Sequence, residues 1–158
     1  MKKSKFEPGG FSLRVGRSRA GLGLFAGEAI PKDVCVIEYV GRVVSKEEEE
    51  TSNSKYLFEV SKRKTIDGKP RDNKAGYINH SCRPNCVIEI RKERVYVFSR
   101  RAIREGEELN YDYDTDYFNE YILPGGGCRC DACREGKGRM GRIRKAKARA
   151  KAKHARSR

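Results

Sequence analysis

The sequence has no long apolar segment. Residues 1–10 contain basic side chains but no apolar run of the length that a secretory signal requires, and no stretch approaches a membrane span. Internal repeats are also missing. The chain does have six cysteines, which without an export signal are better explained as metal ligands in a reducing compartment than as disulfides. We therefore expect an intracellular protein with no membrane partner.

Acidic residues are missing from segment 137–158, which holds 11 Lys or Arg. The formal charge of the whole chain is +14, whereas the remainder has 25 bases and 22 acids, or +3. Residues 145–153 alternate basic residues with small ones and contain no apolar side chain larger than alanine, so they cannot bury enough surface to fold alone. We expect a basic disordered tail over 137–158 that contacts an anionic partner or, alternatively, only keeps the protein soluble.

The body of the chain has little helical pattern. With 158 residues it is long enough for one ordinary domain. Short runs rich in β-branched and aromatic residues, separated by turn signals, are typical of strands; they cover residues 13–15, 22–26, 34–40, 56–60, 87–91 and 95–99. One short helix is predicted over 46–53, because Ser45 and Glu48 match a capping box. We expect a mostly β domain with few short helices.

Three separate segments carry unusual local patterns. In the first, Gly21 and Gly23 flank Leu22 at a strand edge, where the missing β-carbons let the backbone approach a ligand closely. A simple tight turn between strands explains these two glycines equally well.

The second segment, residues 76–86, crowds Asn79, His80, Ser81 and Asn85 around a proline. Such residues commonly build loops whose side chains satisfy their own backbone. That explanation does not account for a histidine, a tyrosine and two cysteines in the same loop.

The third segment, residues 105–113, is a turn followed by a predicted strand with tyrosines two positions apart. A period of two places Tyr111 and Tyr113 on one face of that strand. A pair of packed core tyrosines is the alternative.

Together these motifs resemble the SET-domain lysine methyltransferases. Asn-His-Ser-Cys-x-Pro-Asn-Cys at 79–86 is followed by Gly-Glu-Glu-Leu-x-Tyr-Asp-Tyr at 106–113. The order also matches the family's E-Y-x-G strand at 38–41, its Y-x-F strand at 56–58 and its N-x-A start at 73–75. The resemblance covers about residues 13–133.

The resemblance implies a SET-domain fold of small sheets in which a C-terminal segment forms a knot-like crossing that general topology rules would not predict. It implies a leader at 1–10, a SET catalytic domain at 11–116 and a post-SET zinc-binding strap at 117–136, followed by the basic tail.

The implied activity is S-adenosylmethionine-dependent N-methylation of a lysine in a histone or another basic protein. The residues that would bind the cofactor are Gly21, Leu22, Gly23, Tyr77, Asn79 and His80; those beside the reaction are Tyr113 and Tyr111; those lining a substrate channel are Tyr39 and Tyr56. Gly76 and Tyr77 replace the family's usual Arg-Phe.

The attacking lysine must be neutral, although its ordinary pKa is about 10.4. A tyrosine-walled channel would lower that pKa by desolvating the ammonium group. In the family the position of Tyr111 is either Phe or Tyr, and the additional hydroxyl restricts further methylation. We therefore expect mono- or dimethylation.

Cys128, Cys130 and Cys133 are too close in sequence to pair as disulfides without strain, but they suit one soft cation. Zinc requires a fourth ligand, which the resemblance assigns to Cys82. Cys86 is the competitor, although a buried strand thiol is its other explanation, as for Cys35. The spacing C-x-C-x-x-C is shorter than the C-x-C-x-x-x-x-C that is usual in the family; free or redox-active thiols are the alternative.

Two other function classes compete with the enzyme. A zinc-stabilised protein that binds nucleic acid or chromatin without catalysis would need only the basic tail and the cysteines, but the body lacks a basic patch with interleaved aromatics. An inactive peptide-binding member would not need to retain Asn79, His80 and Tyr113. The expected partners are a lysine-containing protein such as a histone and nucleic acid at 137–158. The expected location is the nucleus or chromosome in a eukaryote, or the cytoplasm in a bacterium.

Overall fold

The structure, a computed structural model, describes residues 4–69 and 71–157. The first three residues of the predicted leader and the last residue of the predicted tail lie outside the described residues.

Short antiparallel strands form most of the body. The strands are β1 (Leu13–Ser18), β2 (Gly21–Ala26), β3 (Cys35–Tyr39), β4 (Arg42–Val44), β5 (Leu57–Ser61), β6 (Lys64–Asp67), β7 (Asn79–His80), β8 (Cys86–Arg91), β9 (Arg94–Ser99) and β10 (Asn110–Tyr111). β1 pairs with β2, and β7 pairs with β10. The two three-stranded sheets have the orders β3-β9-β8 and β4-β6-β5. These small sheets confirm the prediction of a mostly β fold.

Three of these strands, β4, β6 and β7, were missed by sequence reasoning. β6 lies in the centre of its sheet, where Thr65 and Ile66 are both buried. Consecutive side chains of a strand point to opposite faces of its sheet, so the burial of both residues means that both faces are covered and that the polar and apolar alternation of a half-buried strand is lost. β6 has only four residues with charged ends, so its sequence resembles a loop.

The core of the sheet β3-β9-β8 centres on β9, whose Val95 and Val97 are fully buried. The predicted leader covers part of this sheet. The Phe6 ring packs edge-on against Tyr96 and Phe98, with centroids 5.2 and 5.5 Å apart.

The helices are short, with one exception. They are α1 (Lys46–Thr51), a 3₁₀ helix (Lys74–Tyr77), α2 (Thr115–Tyr117), a π-helical turn (Phe118–Ile122), α3 (Asp131–Arg134) and α4 (Arg139–Arg156). The predicted capping box of α1 is confirmed, because Ser45 Oγ accepts from Glu48 N at 3.2 Å and Glu48 Oε2 accepts from Ser45 N at 2.9 Å. None of the described helices could span a bilayer.

α4 corrects the prediction of a disordered tail. Its 18 residues lie inside the segment 137–158 that we expected to be unstructured. The expectation rested on burial, and Gly141 is indeed the helix's one buried residue among those described. Alanine, lysine and arginine are strong helix formers, however, and their propensity does not require a packed core. The prediction was therefore wrong for residues 139–156.

The chain contacts form two compact units. The first consists of Met1–Asn79 and Asn85–Asn110, and the second of His80–Pro84 and Tyr111–Arg158. The functional domain boundaries expected from the sequence, at 10, 116 and 136, remain predictions.

Candidate functional site

The hairpin β1-β2 in the first unit carries the predicted glycine motif. Gly21 has φ +111°, a conformation that glycine adopts readily. At Gly23 a β-carbon would overlap the carboxylate of Glu108 and lie 3.0 Å from Ser18 Cβ. The backbone conformation explains Gly21 and close packing explains Gly23, which is buried; Gly21 and Leu22 are the exposed residues of the motif.

Asn79 holds this hairpin in place. Its amide Nδ2 lies 3.1 Å from Ser18 Oγ, 2.9 Å from the Leu22 carbonyl oxygen and 2.7 Å from Glu108 Oε1. Glu108 was not among the predicted site residues, although it belongs to the Gly-Glu-Glu-Leu motif. The Asn79 amide nitrogen therefore connects β7 to the β1-β2 hairpin and to Glu108.

Asn85 and Asn110 form a second polar connection in the first unit. Each backbone N–H donates to the other residue's Oδ1 at 2.9 Å, and Asn85 Nδ2 donates to the Glu108 carbonyl oxygen at 2.9 Å. Asn85 is buried, so these bonds satisfy polar groups that would otherwise be costly to bury. The sequence showed the two asparagines but not their pairing.

The predicted channel residues Tyr39 and Tyr56 lie together. The buried Tyr39 donates its hydroxyl to the Tyr56 carbonyl oxygen at 2.9 Å and packs its ring 5.3 Å from Phe58. Tyr56 is half-buried, as is Tyr77 at the end of the 3₁₀ helix. Their roles toward substrate or cofactor remain predictions.

A series of tyrosines runs through the second unit. Consecutive ring centroids are 4.8 Å apart for Tyr111 and Tyr113, 5.1 Å for Tyr113 and Tyr117, and 4.7 Å for Tyr117 and Tyr121. The expectation that a strand carries both Tyr111 and Tyr113 was wrong, because β10 ends at Tyr111. The two rings nevertheless pack together, with Tyr111 buried and Tyr113 half-buried.

His80 lies between the turn at Tyr113 and a cysteine. Its Nδ1 accepts from the Tyr113 backbone N–H at 3.1 Å, so the ring proton of neutral His80 is on Nε2, 3.4 Å from Cys82 Sγ. Burial lowers the pKa of His80, although nearby Asp112 opposes that shift. Sequence reasoning assigned His80 to the cofactor; the structure shows that its ring orients Tyr113 and contacts Cys82.

Arg139, at the start of α4, joins the same region. It donates from Nη1 to the Asp114 carbonyl oxygen at 2.9 Å and from Nη2 to Asp112 Oδ2 at 3.0 Å. Its guanidinium carbon lies 5.0 Å from the centre of the Phe118 ring. Asp114 has φ 78° and ψ 177°, a strained combination for a residue with a β-carbon. Arg139, which sequence reasoning missed, therefore stabilises the strained turn that follows Tyr113.

The four predicted metal ligands converge in the second unit. The sulfurs of Cys82, Cys128, Cys130 and Cys133 all lie within 4.8 Å of one another, and those of Cys82 and Cys133 are 3.5 Å apart. Tetrahedral zinc with Zn–S bonds of about 2.3 Å requires sulfurs about 3.8 Å apart. The cluster therefore has the ligand type, number and approximate spacing for such an ion, despite its shortened C-x-C-x-x-C spacing.

Backbone N–H groups surround this cysteine cluster. Arg139 N and Met140 N, in the first turn of α4, lie 3.5 Å from Cys82 Sγ and 3.4 Å from Cys133 Sγ. Cys130 Sγ accepts from Cys82 N at 3.4 Å. The pKa of Cys130 is lowered to about 4, chiefly by a hydrogen bond from Cys128. The positive end of α4 and these donors stabilise thiolate sulfur, the form that binds metal.

Close packing also shapes the cluster. A β-carbon at Gly138 would overlap Cys133 Sγ. Cys86, the competing fourth ligand, is instead buried in β8, where burial raises its pKa to about 12. Burial likewise raises the pKa of Cys35 to about 11. The geometry thus favours Cys82 as the fourth ligand.

Comparison with known proteins identifies relatives of this chain. A family model described as "SET domain" matches residues 21–114. Human "Histone-lysine N-methyltransferase 2D" is 36% identical over 140 residues, covering 78% of this chain and 2% of that protein. Two Schizosaccharomyces pombe proteins also match. "Histone-lysine N-methyltransferase, H3 lysine-4 specific" is 38% identical over 115 residues, covering 64% of this chain and 12% of that protein. "Histone-lysine N-methyltransferase, H3 lysine-36 specific" is 34% identical over 125 residues, covering 71% of this chain and 15% of that protein. The chain therefore spans only a small part of the length of these relatives.

Proposed function

The chain belongs to the SET-domain family, and from this membership we propose that it is an S-adenosylmethionine-dependent protein-lysine N-methyltransferase. The observation that carries the proposal is the ordered environment of Tyr113. His80 holds its backbone, and Tyr111 and Tyr117 pack on its ring. These contacts support the proposal, because they hold the backbone and the ring of one tyrosine within a segment that the family model covers.

The cofactor supplies an activated methyl group, and the protein must position the acceptor nitrogen and keep it unprotonated. The Tyr113 hydroxyl oxygen would accept weak C–H hydrogen bonds from that methyl group and so orient it. The aromatic walls formed by Tyr111 and Tyr117 disfavour the charged ammonium form of the incoming lysine by desolvation. The protein thereby lowers the pKa of the acceptor and limits its orientations.

For the cofactor itself, we assign binding to residues 21–23, of which Gly21 and Leu22 are exposed, to Tyr77, and to Asn79 and His80. Because Asn79 Nδ2 already bonds within the first unit, its amide oxygen would be the atom left to accept a hydrogen bond from the cofactor. The His80 ring is occupied by Tyr113 and Cys82, so His80 would contact the cofactor through its main chain.

The cysteine cluster is proposed to hold one zinc ion. Four clustered sulfurs suit a soft divalent cation, and its binding would release the thiol protons that remain. Metal analysis of the purified protein should give one zinc per chain, and replacing Cys82 with serine should lower that content. Retention of a full equivalent of zinc by this variant would contradict its role as a ligand.

The proposed substrate is a lysine in a basic protein segment, with the histone H3 tail as the first candidate. The relatives named for H3 lysine 4 and H3 lysine 36 have similar identity to this chain, so both lysines belong in the test. Asp112 is engaged by Arg139, and Asp114 caps α2. Asp116, which is exposed, is therefore the member of this acidic group best placed to attract a basic peptide. Mono- or dimethylation is the expected product.

The decisive assay incubates the zinc-loaded chain with labelled S-adenosylmethionine and H3 peptides containing either lysine. Tyr113→Phe should abolish most of the transfer, whereas Tyr121→Phe, the same chemical change at an exposed ring, should not. No transfer to any lysine peptide by a protein with full zinc content would refute the proposal.

A contact with nucleic acid through residues 137–158 is the second proposal, favoured by the exposed basic side chains of α4. It places the protein on chromatin in a eukaryotic cell, or in the cytoplasm of a bacterium. This contact is compatible with catalysis and also with a binding protein that lacks catalysis.

A further inference from the structure

Eight of the Lys and Arg residues of α4 form two stripes on opposite sides of the helix. With about 100° per residue, the first stripe contains Arg142, Lys145, Arg149, Lys153 and Arg156, and it covers an arc of about 80°. The second stripe contains Arg144, Lys147 and Lys151, and it is centred roughly 170° away around the axis. All eight residues are exposed, and within the described residues none of them forms an ion pair with an acid.

Alanines lie in both gaps between the stripes. Within residues 142–156, Ala148, Ala152 and Ala155 line one gap alone, and Ala146 and Ala150 share the other gap with Ile143 and His154. From residue 144 to the end of the helix, alanine is the largest apolar side chain. An amphipathic helix that inserts into a membrane surface needs bulky apolar residues on one face, so this pattern does not suit a lipid partner.

Two opposite basic stripes match an anionic groove with charge on both walls. The major groove of B-form DNA is about 12 Å wide and is bordered by two rows of phosphates, and it admits one α-helix. A helix of about 10–12 Å diameter would contact both borders at once. The major groove of A-form RNA is too narrow for this. Because alanine side chains are small, the helix could approach the base edges on the floor of the groove without a steric clash.

The cysteine cluster holds the start of this helix. The first-turn N–H groups at Arg139 and Met140 point to cluster sulfurs, and Gly141 is buried. Residues 142–156 extend beyond this anchor for about 22 Å. The helix is thus fixed at one end, with its two stripes accessible.

We infer that α4 binds in the major groove of duplex DNA, with each basic stripe on one of the two phosphate rows and an alanine strip toward the groove floor. This inference specifies the ligand of the proposed nucleic-acid contact. It is independent of methyl transfer, because no residue of 142–156 is assigned to the catalytic or cofactor site.

The test measures binding of the full zinc-loaded chain to a fluorescent DNA duplex at several salt concentrations. One triple variant replaces Lys145, Arg149 and Lys153 with glutamine, and a matched one replaces Arg144, Lys147 and Lys151. If both stripes contact phosphates, each variant should reduce the slope of log K against log salt by about 2.7, since each phosphate contact contributes about 0.9. If only one of the two variants reduced the slope, a single face of the helix would lie on the DNA surface, and groove binding would be overturned.

Leucine substitutions test the groove without changing the charge. Leucine preserves helix propensity but adds bulk, so either Ala146→Leu with Ala150→Leu, or Ala148→Leu with Ala152→Leu, should weaken duplex binding about tenfold or more, equivalent to 1.4 kcal/mol. If neither pair weakens binding, the groove is not entered.

Competing anions complete the test. Duplex RNA and single-stranded DNA of the same sequence should bind more weakly than duplex DNA, and so should vesicles containing anionic lipid. Equal or tighter binding to any of them would overturn the inference. Peptide methylation by the variants should equal that of the unchanged protein, which shows correct folding; absence of methylation in the unchanged protein would count against the proposed activity and not against DNA binding.

Discussion

Replacing Arg139 with glutamine should destabilise the second unit by about 3 kcal/mol. The lost hydrogen bond to the Asp114 carbonyl contributes about 1.5 kcal/mol, and the contact with Phe118 contributes about 0.5–1 kcal/mol. The ion pair with Asp112 adds only about 0.5–1 kcal/mol, because the Asp112 side chain is 41% exposed. For a protein of about this size, the sum corresponds to a fall in Tm of roughly 6–12 °C.

The assay is urea unfolding of the zinc-loaded protein, followed by tyrosine fluorescence, since the chain has no tryptophan and eight tyrosines. Arg139→Lys should lose about half as much stability, because it keeps the charge but not the forked geometry. Arg144→Gln, the same change at an exposed position of α4, is the control and should change stability by less than about 0.5 kcal/mol.

A double-mutant cycle with Asp112→Asn isolates the ion pair and should give a coupling energy of about 0.5–1 kcal/mol. Because Arg139 supports the turn after Tyr113, methyl transfer should also decrease in Arg139→Gln and recover partly in Arg139→Lys. A glutamine variant within about 0.5 kcal/mol of the unchanged protein, or a coupling energy of zero, would refute this account.

Three further changes test other parts of the structure. Gly138→Ala places a β-carbon against Cys133 Sγ, so the variant should retain less zinc and release it faster to a chelator; unchanged release would contradict the packing argument. A hydrogen bond from Arg101 lowers the pKa of Glu107 in the folded protein below its ordinary 4.5. The ionised carboxylate therefore stabilises the fold above pH 4.5. This stabilisation is lost as the pH falls through the pKa of Glu107 in the folded protein. Glu107→Gln should therefore be less stable than the unchanged protein above that pH, with a difference that shrinks in acid; a pH-independent difference in urea unfolding would argue against the pair. Tyr111→Phe should shift the products toward higher methylation states by mass spectrometry, and an unchanged distribution would exclude Tyr111 as the restricting residue.

Interactions within a few residues were readable from the sequence. Ser45 and Glu48 signalled the capping box of α1, because both partners belong to one helical turn. The cysteines at 128, 130 and 133 likewise indicated a group of metal ligands, because all three lie within six residues of sequence. The fourth cysteine, 82, came from the family resemblance, since nothing in its local sequence indicates its neighbours.

The C-terminal segment shows a different limit. Composition predicted disorder at 137–158 because no apolar face could be buried, whereas helix propensity alone favoured the observed α4. In this segment the helix propensity of alanine, lysine and arginine outweighs the lack of an apolar face to bury. The two basic stripes become visible only when the helix is known, because the alternating sequence spreads them over both faces.

The sequence by itself determined the family, the mostly β fold, the capping box and the residues available as metal ligands. Only the tertiary structure decided which polar groups are partners, such as Asn79 with Glu108 across 29 positions and Arg139 with Asp112 across 27. The physical reason is that a local pattern specifies a residue's own backbone and its near neighbours. A hydrogen bond between distant segments depends on how every intervening strand and turn packs.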